Sequence, residues 1–305
     1  MTYRNPYALL GLAPDEWALA EDESLRRKKK ELLAELDAQP NQRLSIAGST
    51  ISKQELISLF EEMDQPQVRA FHASVARQPS LHDFLTQASL DYFYQGDISM
   101  LPAQEPEFLV WIAPWFSRSY NLRLVHAFRQ RDADELLVLC SHPLPLPTAY
   151  LAIAYKDTYQ LLHEHREKIL AHSLELDQGH EPGGELQTLS DEWLINAINH
   201  LPEYFQGIRD AIAEAMEQLA LTLLKRHNRP KLSLLVIRQA LKLDISPSTR
   251  KKLEGLQQSL FAIHPEEEWL SWLNKNEGEG LNPWLVAMSL GAVGVILWLF
   301  SRWKN

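Results

Sequence analysis

Along most of this chain apolar residues recur at three- and four-residue spacing, the period of an α-helix that buries one face. The pattern predicts helices over residues 5–12, 25–36, 52–63, 67–75 and 81–94, and several more within 108–128. A single long helix is expected over 148–176, and a continuous run from 190 to about 227. Two further helices come after it, over 232–243 and 246–261. In the first of the longer helices Leu25, Leu32, Leu33 and Leu36 form the inner stripe, and acidic residues 21–23 precede it, where they favour the positive end of the helix dipole. Ser52 is placed to cap the next helix. Pro66 and the 141–147 run, where prolines alternate with other residues, interrupt the helical period.

Two stretches depart from that period. Residues 44–51 alternate and contain Gly48, which reads as a small hairpin. Residues 281–300 carry no charge at all. As a helix they would extend roughly 30 Å, the thickness of a bilayer's hydrocarbon core. Trp284 stands near one end, and Trp298 and Trp303 near the other, as interfacial indoles do. Ala287, Gly291 and Gly294 are among the small residues of the run; Ala287 and Gly291 are four apart, the spacing that lets two spans approach closely. The reading is a single C-terminal anchor contacting membrane lipid.

The fold class expected is all-α. The division is 1–78, 79–186, 187–275, a linker at 276–280, the anchor at 281–300 and a tail at 301–305. The net charge of −10 over 305 residues argues against a broad nucleic-acid-binding surface. The single cysteine, Cys140, allows no intrachain disulfide and suits a reducing compartment. Residues 1–17 contain no apolar core of the secretory kind. The bulk of the chain is therefore expected in the cytoplasm of a single-pass membrane protein. The two cations after the apolar run would alone favour the opposite orientation.

Residues 5–12, NPYALLGL, resemble the opening of a J-domain, the module that couples to Hsp70 chaperones. The basic run Arg26, Arg27, Lys28, Lys29 and Lys30 sits where that family's basic second helix sits. Residues 57–72, ISLFEEMDQPQVRAFH, are similar to its third helix and following turn, with Phe60, Glu61, Pro66 and Arg69 at matching places. The likeness covers residues 5–75. It implies a surface for an Hsp70-like chaperone at the basic helix and the loop after it. The family's His-Pro-Asp tripeptide is replaced by Gln39, Pro40 and Asn41. The imidazole and carboxylate are gone, and with them the strong charge-assisted hydrogen bonds. The insert at 42–51 also displaces the third helix. The resemblance therefore implies recruitment without standard stimulation of ATP hydrolysis. His264-Pro265-Glu266 lies far from this segment.

Residues 234–244, LLVIRQALKLD, resemble the second helix of a tetratricopeptide repeat, expected to pair with the preceding helix. Ile212, Ala215, Leu219, Ala220 and Leu223 would face Leu235, Ile237, Ala240 and Leu241. One such unit falls short of a solenoid. Residues 266–279 form an acidic segment holding Trp269 and Trp272.

Catalytic chemistry finds little footing. There is no glycine-rich phosphate loop. His163, His165, His172 and His180 lack the spacing that places two metal ligands and a base on one helix face. Cys140 and His142 have no third group to orient them. No catalytic residue, metal or cofactor is assigned. The function expected is that of a tail-anchored adaptor holding an Hsp70-like chaperone or another protein at a membrane. The alternative is a structural subunit of a membrane-associated assembly.

Overall fold

The computed structural model describes residues 3–7, 22–39, 41, 43–46, 49–98, 101, 105–182 and 191–263. Those residues are mostly helical, in thirteen α-helices, with one two-stranded antiparallel sheet. The chain divides into two compact units, residues 1–161 and 162–305. The apolar run at 281–300, with Trp284, Ala287, Gly291, Gly294, Trp298 and Trp303, lies outside the described residues. Among those described, no helix is long and apolar enough to cross a membrane.

The first unit opens with Tyr3, Asn5 and Tyr7, all buried. Helix α1 (Asp22–Asp37) comes next, then strands β1 (Arg43–Ile46) and β2 (Ser49–Ser52). Leu44 stands opposite Ile51 in the ladder. The two-residue period of a strand puts both on one face, and both are buried. Helix α2 (Lys53–Met63) starts from a complete capping box. Ser52 Oγ accepts the Glu55 N–H at 3.3 Å, and Glu55 Oε2 accepts the Ser52 N–H at 2.8 Å. Leu32 and Leu36 of α1, Leu44 and Ile51 of the hairpin, and Leu56 and Phe60 of α2 form one core. The hairpin thus adds two side chains to the seam between the helices.

Helices α3 (Pro66–Ala76) and α4 (Pro79–Gln87) both begin with proline in the first turn, where its missing N–H costs nothing. The helix expected over 81–94 is in fact two. Ala88, at φ 55°, ends α4 in the left-handed region, and the Ser89 N–H donates back to Asp83 O at 3.3 Å. Helix α5 (Asp91–Tyr94) resumes. Residues 108–128, expected as several helices, form the single helix α6 (Pro106–Gln130). It tolerates Pro114 inside it. Val110, whose carbonyl loses its donor there, lies on the exposed side. Arg131, at φ 58°, closes α6, and Asp132 caps α7 (Ala133–Cys140) by accepting the Glu135 N–H at 2.9 Å.

The long helix expected over 148–176 is also two, α8 (Thr148–Ala154) and α9 (Lys156–Asp177). The interruption has a tertiary cause. Tyr155 is buried edge-on against Tyr120, with ring centroids 5.8 Å apart. The Asn121 side chain then takes over the start of α9: its Oδ1 accepts the Asp157 N–H at 2.9 Å and its Nδ2 donates to Asp157 Oδ2 at 2.7 Å.

The division between the units falls within α9. In the second unit α10 (Glu192–His200) and a 3₁₀ turn (Glu203–Phe205) precede α11 (Gln206–Lys225). The continuous run expected to about 227 is therefore broken. Pro202 drives Leu201 to ψ 149° and ends α10. The buried Arg209 side chain satisfies the open carbonyls at this buried helix end. Its Nη1 donates to Leu201 O at 3.0 Å and lies 3.4 Å from Ile198 O. Helices α12 (Pro230–Leu241) and α13 (Pro247–Ile263) complete the unit. Asn228, at φ 51°, turns α11 into α12, and these two pack along their length. Ile212, Ala215, Leu219, Ala220 and Leu223 are buried as expected. On α12 the buried set is Ser233, Leu234, Val236, Ile237 and Ala240, while Leu235 and Leu241 are half-buried. The seam is thus rotated from the expected one. Arg250 caps the end of α12 through Leu241 O and Leu243 O, and Glu217 of α11 meets Lys252 of α13 at 2.7 Å.

Candidate functional site

The surface that the basic run and the adjoining loop occupy is built on α1. Its inner side is fixed by Leu32 and Leu36, the latter fully buried. Arg26, Arg27 and Lys30 are consequently exposed, and Lys28 and Lys29 are half-buried. The five cations are not equivalent. Arg27 Nε and Lys28 Nζ lie 3.8 and 3.7 Å from the Glu31 carboxylate. Lys29 Nζ sits 5.5 Å above the centre of the Phe60 ring, a cation–π contact that holds its stem against α2. A shallow hollow runs along this side, lined by Arg26, Lys29, Lys30, Leu33, Ala34 and Asp37.

After α1 the chain turns. The Gln39 N–H donates to Leu36 O at 3.1 Å, and the side chains of Gln39 and Asn41 are exposed. Pro40 lies outside the described residues. Asn41 borders a second hollow, with Arg43, Lys53, Gln54, Ile57 and Glu61. The two hollows share no lining residue, so the basic run and Asn41 face different depressions. A Lys53–Asp37 ion pair at 2.6 Å ties the end of α1 to the start of α2, and Arg4 meets Glu55 at 3.2 Å. The Glu55 carboxyl is held below the usual range, chiefly by its hydrogen bonds from Ser52.

A second cluster carries no motif. The Tyr3 hydroxyl lies 3.0 Å from His72 Nδ1. The Tyr3 ring stacks on His72 and stands edge-on to Trp111 and Trp115, at 6.2 and 5.5 Å between centroids. Phe71 packs against Phe108 and Trp111 at 5.5 Å from each. His72 is 2% exposed, and its Nε2 makes no hydrogen bond; Glu62 Oε2 is 3.9 Å away. Burial lowers the His72 pKa, keeping the ring neutral at neutral pH. The signal for this cluster in the sequence is the pair Tyr3 and Tyr7 at four-residue spacing, but nothing local names their partners.

Of the four histidines singled out along α9 and after it, His163 and His180 are exposed and His172 is buried. His165 is half-buried, with its pKa pulled down to about 4 by burial and then by Lys168. Among the described residues no group of three or more His, Cys, Asp or Glu is arranged to hold a metal ion. Burial raises the Cys140 thiol to about 12, which leaves it protonated and unreactive at neutral pH. No protein-family model, curated protein or solved structure matches this chain.

Proposed function

We propose that this chain is a membrane-tethered adaptor that recruits an Hsp70-like chaperone, or another protein partner, through α1 and the loop at Gln39, Pro40 and Asn41. The observation that carries the reading is the placement of charge. A helix whose inner leucines are locked into a core presents Arg26, Arg27 and Lys30 to solvent and leads directly into an exposed polar loop. Such a surface speeds encounter with an acidic partner, screened over about 8–10 Å at physiological salt. Glutamine and asparagine in the loop supply neither the imidazole nor the carboxylate, so binding without ATPase stimulation is the expected output. The uncharged run at 281–300 supports the tether. Residues 234–244, whose sequence resembles the second helix of a tetratricopeptide repeat, belong to the packed pair α11–α12, which is suited to add apolar contact area.

The test is a binding and turnover assay on the detergent-solubilised full chain with a purified Hsp70. Saturable binding with ATPase at its basal rate is expected. The double variant Gln39→His, Asn41→Asp is expected to raise that rate without altering stability. Strong stimulation by the unaltered chain, or absence of binding, defeats the reading.

One observation favours a second reading, a structural subunit of a membrane-associated assembly. The J-like segment is not set apart from the rest of its unit: Phe71 and His72 pack onto Phe108 and Trp111 of α6. A segment serving as a packing module would be joined in this way. Affinity purification that returns fixed stoichiometric companions and no chaperone selects this alternative.

A further inference from the structure

Residues 3–7 form a short strap across helices of their own unit, fastened by two tyrosines. Tyr3 and Tyr7 are both buried. The Tyr7 hydroxyl donates to Arg69 O of α3 at 2.7 Å, and its ring packs with Met63, Ala73 and Ala76. Between the tyrosines, Arg4 is paired with Glu55 of α2. Tyr3 is held differently. Its ring stacks on His72 of α3 and stands edge-on to Trp111 and Trp115 of α6, and its hydroxyl meets His72 Nδ1 at 3.0 Å. Tyr7 stands edge-on to the same imidazole at 6.5 Å. Both fastening tyrosines therefore touch one buried histidine.

His72 is suited to this place only while neutral. With the single ring proton on Nε2, Nδ1 accepts from the Tyr3 hydroxyl. A second proton turns Nδ1 into a donor, so the Tyr3 hydroxyl must swing away, and it puts a full charge where water does not reach. The charged and titratable groups around the strap do not relieve that charge. On α2, Glu62 Oε2 is 3.9 Å from Nε2, beyond hydrogen-bond reach, on a side chain that is half exposed. Glu55 is kept ionised below the usual carboxylate range, chiefly by Ser52, so the Arg4 pair persists in mild acid. On the strap, burial raises both phenols, Tyr7 to about 12, and both stay protonated. On α3, Arg69 donates to Met63 O, and it and Arg77 act on Tyr7 as fixed positive charges. On α4, half-buried His82 stands edge-on to Tyr3 at 6.3 Å and lies 3.1 Å from the Asp83 carboxylate. From α6 the facing residues are Trp111 and Trp115, which carry no charge.

We propose that His72 is the catch of an acid-sensitive latch: when its ring takes up a proton, residues 3–7 lift off α3 and α6 while the rest of the unit stays folded. Lifted into water, the ring takes its proton at the ordinary 6.5; in the latched state burial lowers that value. Between the two the open form binds more protons. Opening therefore increases as pH falls below about 6.5, by up to about tenfold per pH unit, and levels off below the latched value. Release uncovers the His72 ring and the sides of Trp111 and Trp115 against which Tyr3 rests. The proposal stands independently of the surface on α1.

The test is hydroxyl-radical footprinting of the detergent-solubilised full chain, read by mass spectrometry at single tyrosines. Exposed Tyr94 normalises the radical dose, and buried Tyr92 reports whether the unit stays folded. Between about pH 7 and 5, oxidation of Tyr3 relative to Tyr94 is expected to rise, by up to about tenfold per unit below 6.5, with Tyr92 protected throughout. His72→Gln is expected to keep Tyr3 protected and to abolish the rise. His82→Gln is expected to leave the profile as it is. Should His72→Gln leave Tyr3 oxidised even at neutral pH, Glu62→Gln decides. It alters a half-exposed side chain and removes the one carboxylate that favours the imidazolium. Its profile is expected to match the unaltered chain at neutral pH and to go on rising to lower pH; an unmoved profile overturns the proposal. A flat profile in the unaltered chain also overturns it, as does a rise that survives His72→Gln or disappears in His82→Gln. Oxidation of Tyr92 in step with Tyr3 overturns it too, because the whole unit would then be opening. So does a fall in Tyr3 oxidation with acid, which would mean that Glu62 and the surrounding rings hold the imidazolium in place.

Discussion

At the centre of residues 1–161 the side chains are aromatic: Phe84, Tyr92, Phe93 and Phe116 pack ring to ring. Tyr3, His72, Trp111 and Trp115 form a second such group. In residues 162–305 the corresponding positions are aliphatic, among them Ile198, Ile212, Leu219, Leu223, Ile237 and Leu253. Polar side chains close helix ends in both units, Ser52 and Asp132 at helix starts in the first and Arg209 and Arg250 at helix ends in the second. Assembly distance explains much of this. The aromatic groups collect residues far apart in the chain, from Tyr3 to Trp115, and large rings repay that closure entropy with large contact area. The second unit stacks consecutive helices, and short local hairpins need only complementary aliphatic ridges.

The largest test of that contrast is in the cores. Phe116→Ala, at a fully buried position among three other rings, is expected to cost about 3–5 kcal/mol, and Leu219→Ala about 2–5 kcal/mol. Calorimetry of the full chain is expected to show each lowering a different transition. One shared transition lowered by both would erase the distinction between the units.

Next in size is the arginine clamp. Arg209→Met keeps the apolar stem but strands the Leu201 carbonyl, an expected loss of about 1–3 kcal/mol in urea titration. Arg209→Lys should recover only part of it, because an ammonium lacks the planar fork. Full recovery by lysine would show that charge alone matters there.

Acid sensitivity comes third. The folded pKa of His165 is about 4 against an ordinary 6.5. Between those values the unfolded chain binds more protons than the folded one. Stability therefore falls as pH drops through that window, by up to about 1.4 kcal/mol per unit, and levels off below it. His72 shifts in the same direction by burial. His165→Gln should flatten the stability profile of the second unit between pH 6.5 and 4, leaving the slope of the first. An unchanged slope for the second unit would mean that His165 is solvated.

Smallest is Tyr3→Phe, which removes the contact to His72 Nδ1 while keeping the ring, for an expected loss of about 1 kcal/mol. A loss no greater than that of an exposed control would place the value of Tyr3 wholly in its ring contacts.

Much of the local structure was legible. The capping box at Ser52, the hairpin over 43–52 and the turn at Asn228 arise from residue chemistry within a few positions. So did the exposure of Arg26, Arg27 and Lys30, because Leu32 and Leu36 mark the opposite face. The break at Leu201 was missed although Pro202 dictates it, because the helical period of the flanking residues runs on through it. The cluster of Tyr3, His72, Trp111 and Trp115 was not legible, because its members come from segments far apart in the chain.

The sequence by itself determined which residues prefer helix, where proline and capping side chains start and stop most of them, and that Leu32 and Leu36 of α1 turn inward. These are short-range preferences, set by backbone sterics and by hydrogen bonds a few residues apart. The tertiary structure alone decided that residues 148–176 break at Tyr155, because Asn121, in another helix, captures the amide of Asp157. It alone joined Tyr3 to His72 and Trp115, and it alone paired Lys29 with Phe60. Those outcomes depend on which surfaces meet, and a one-dimensional pattern records the appetite for contact without recording the partner.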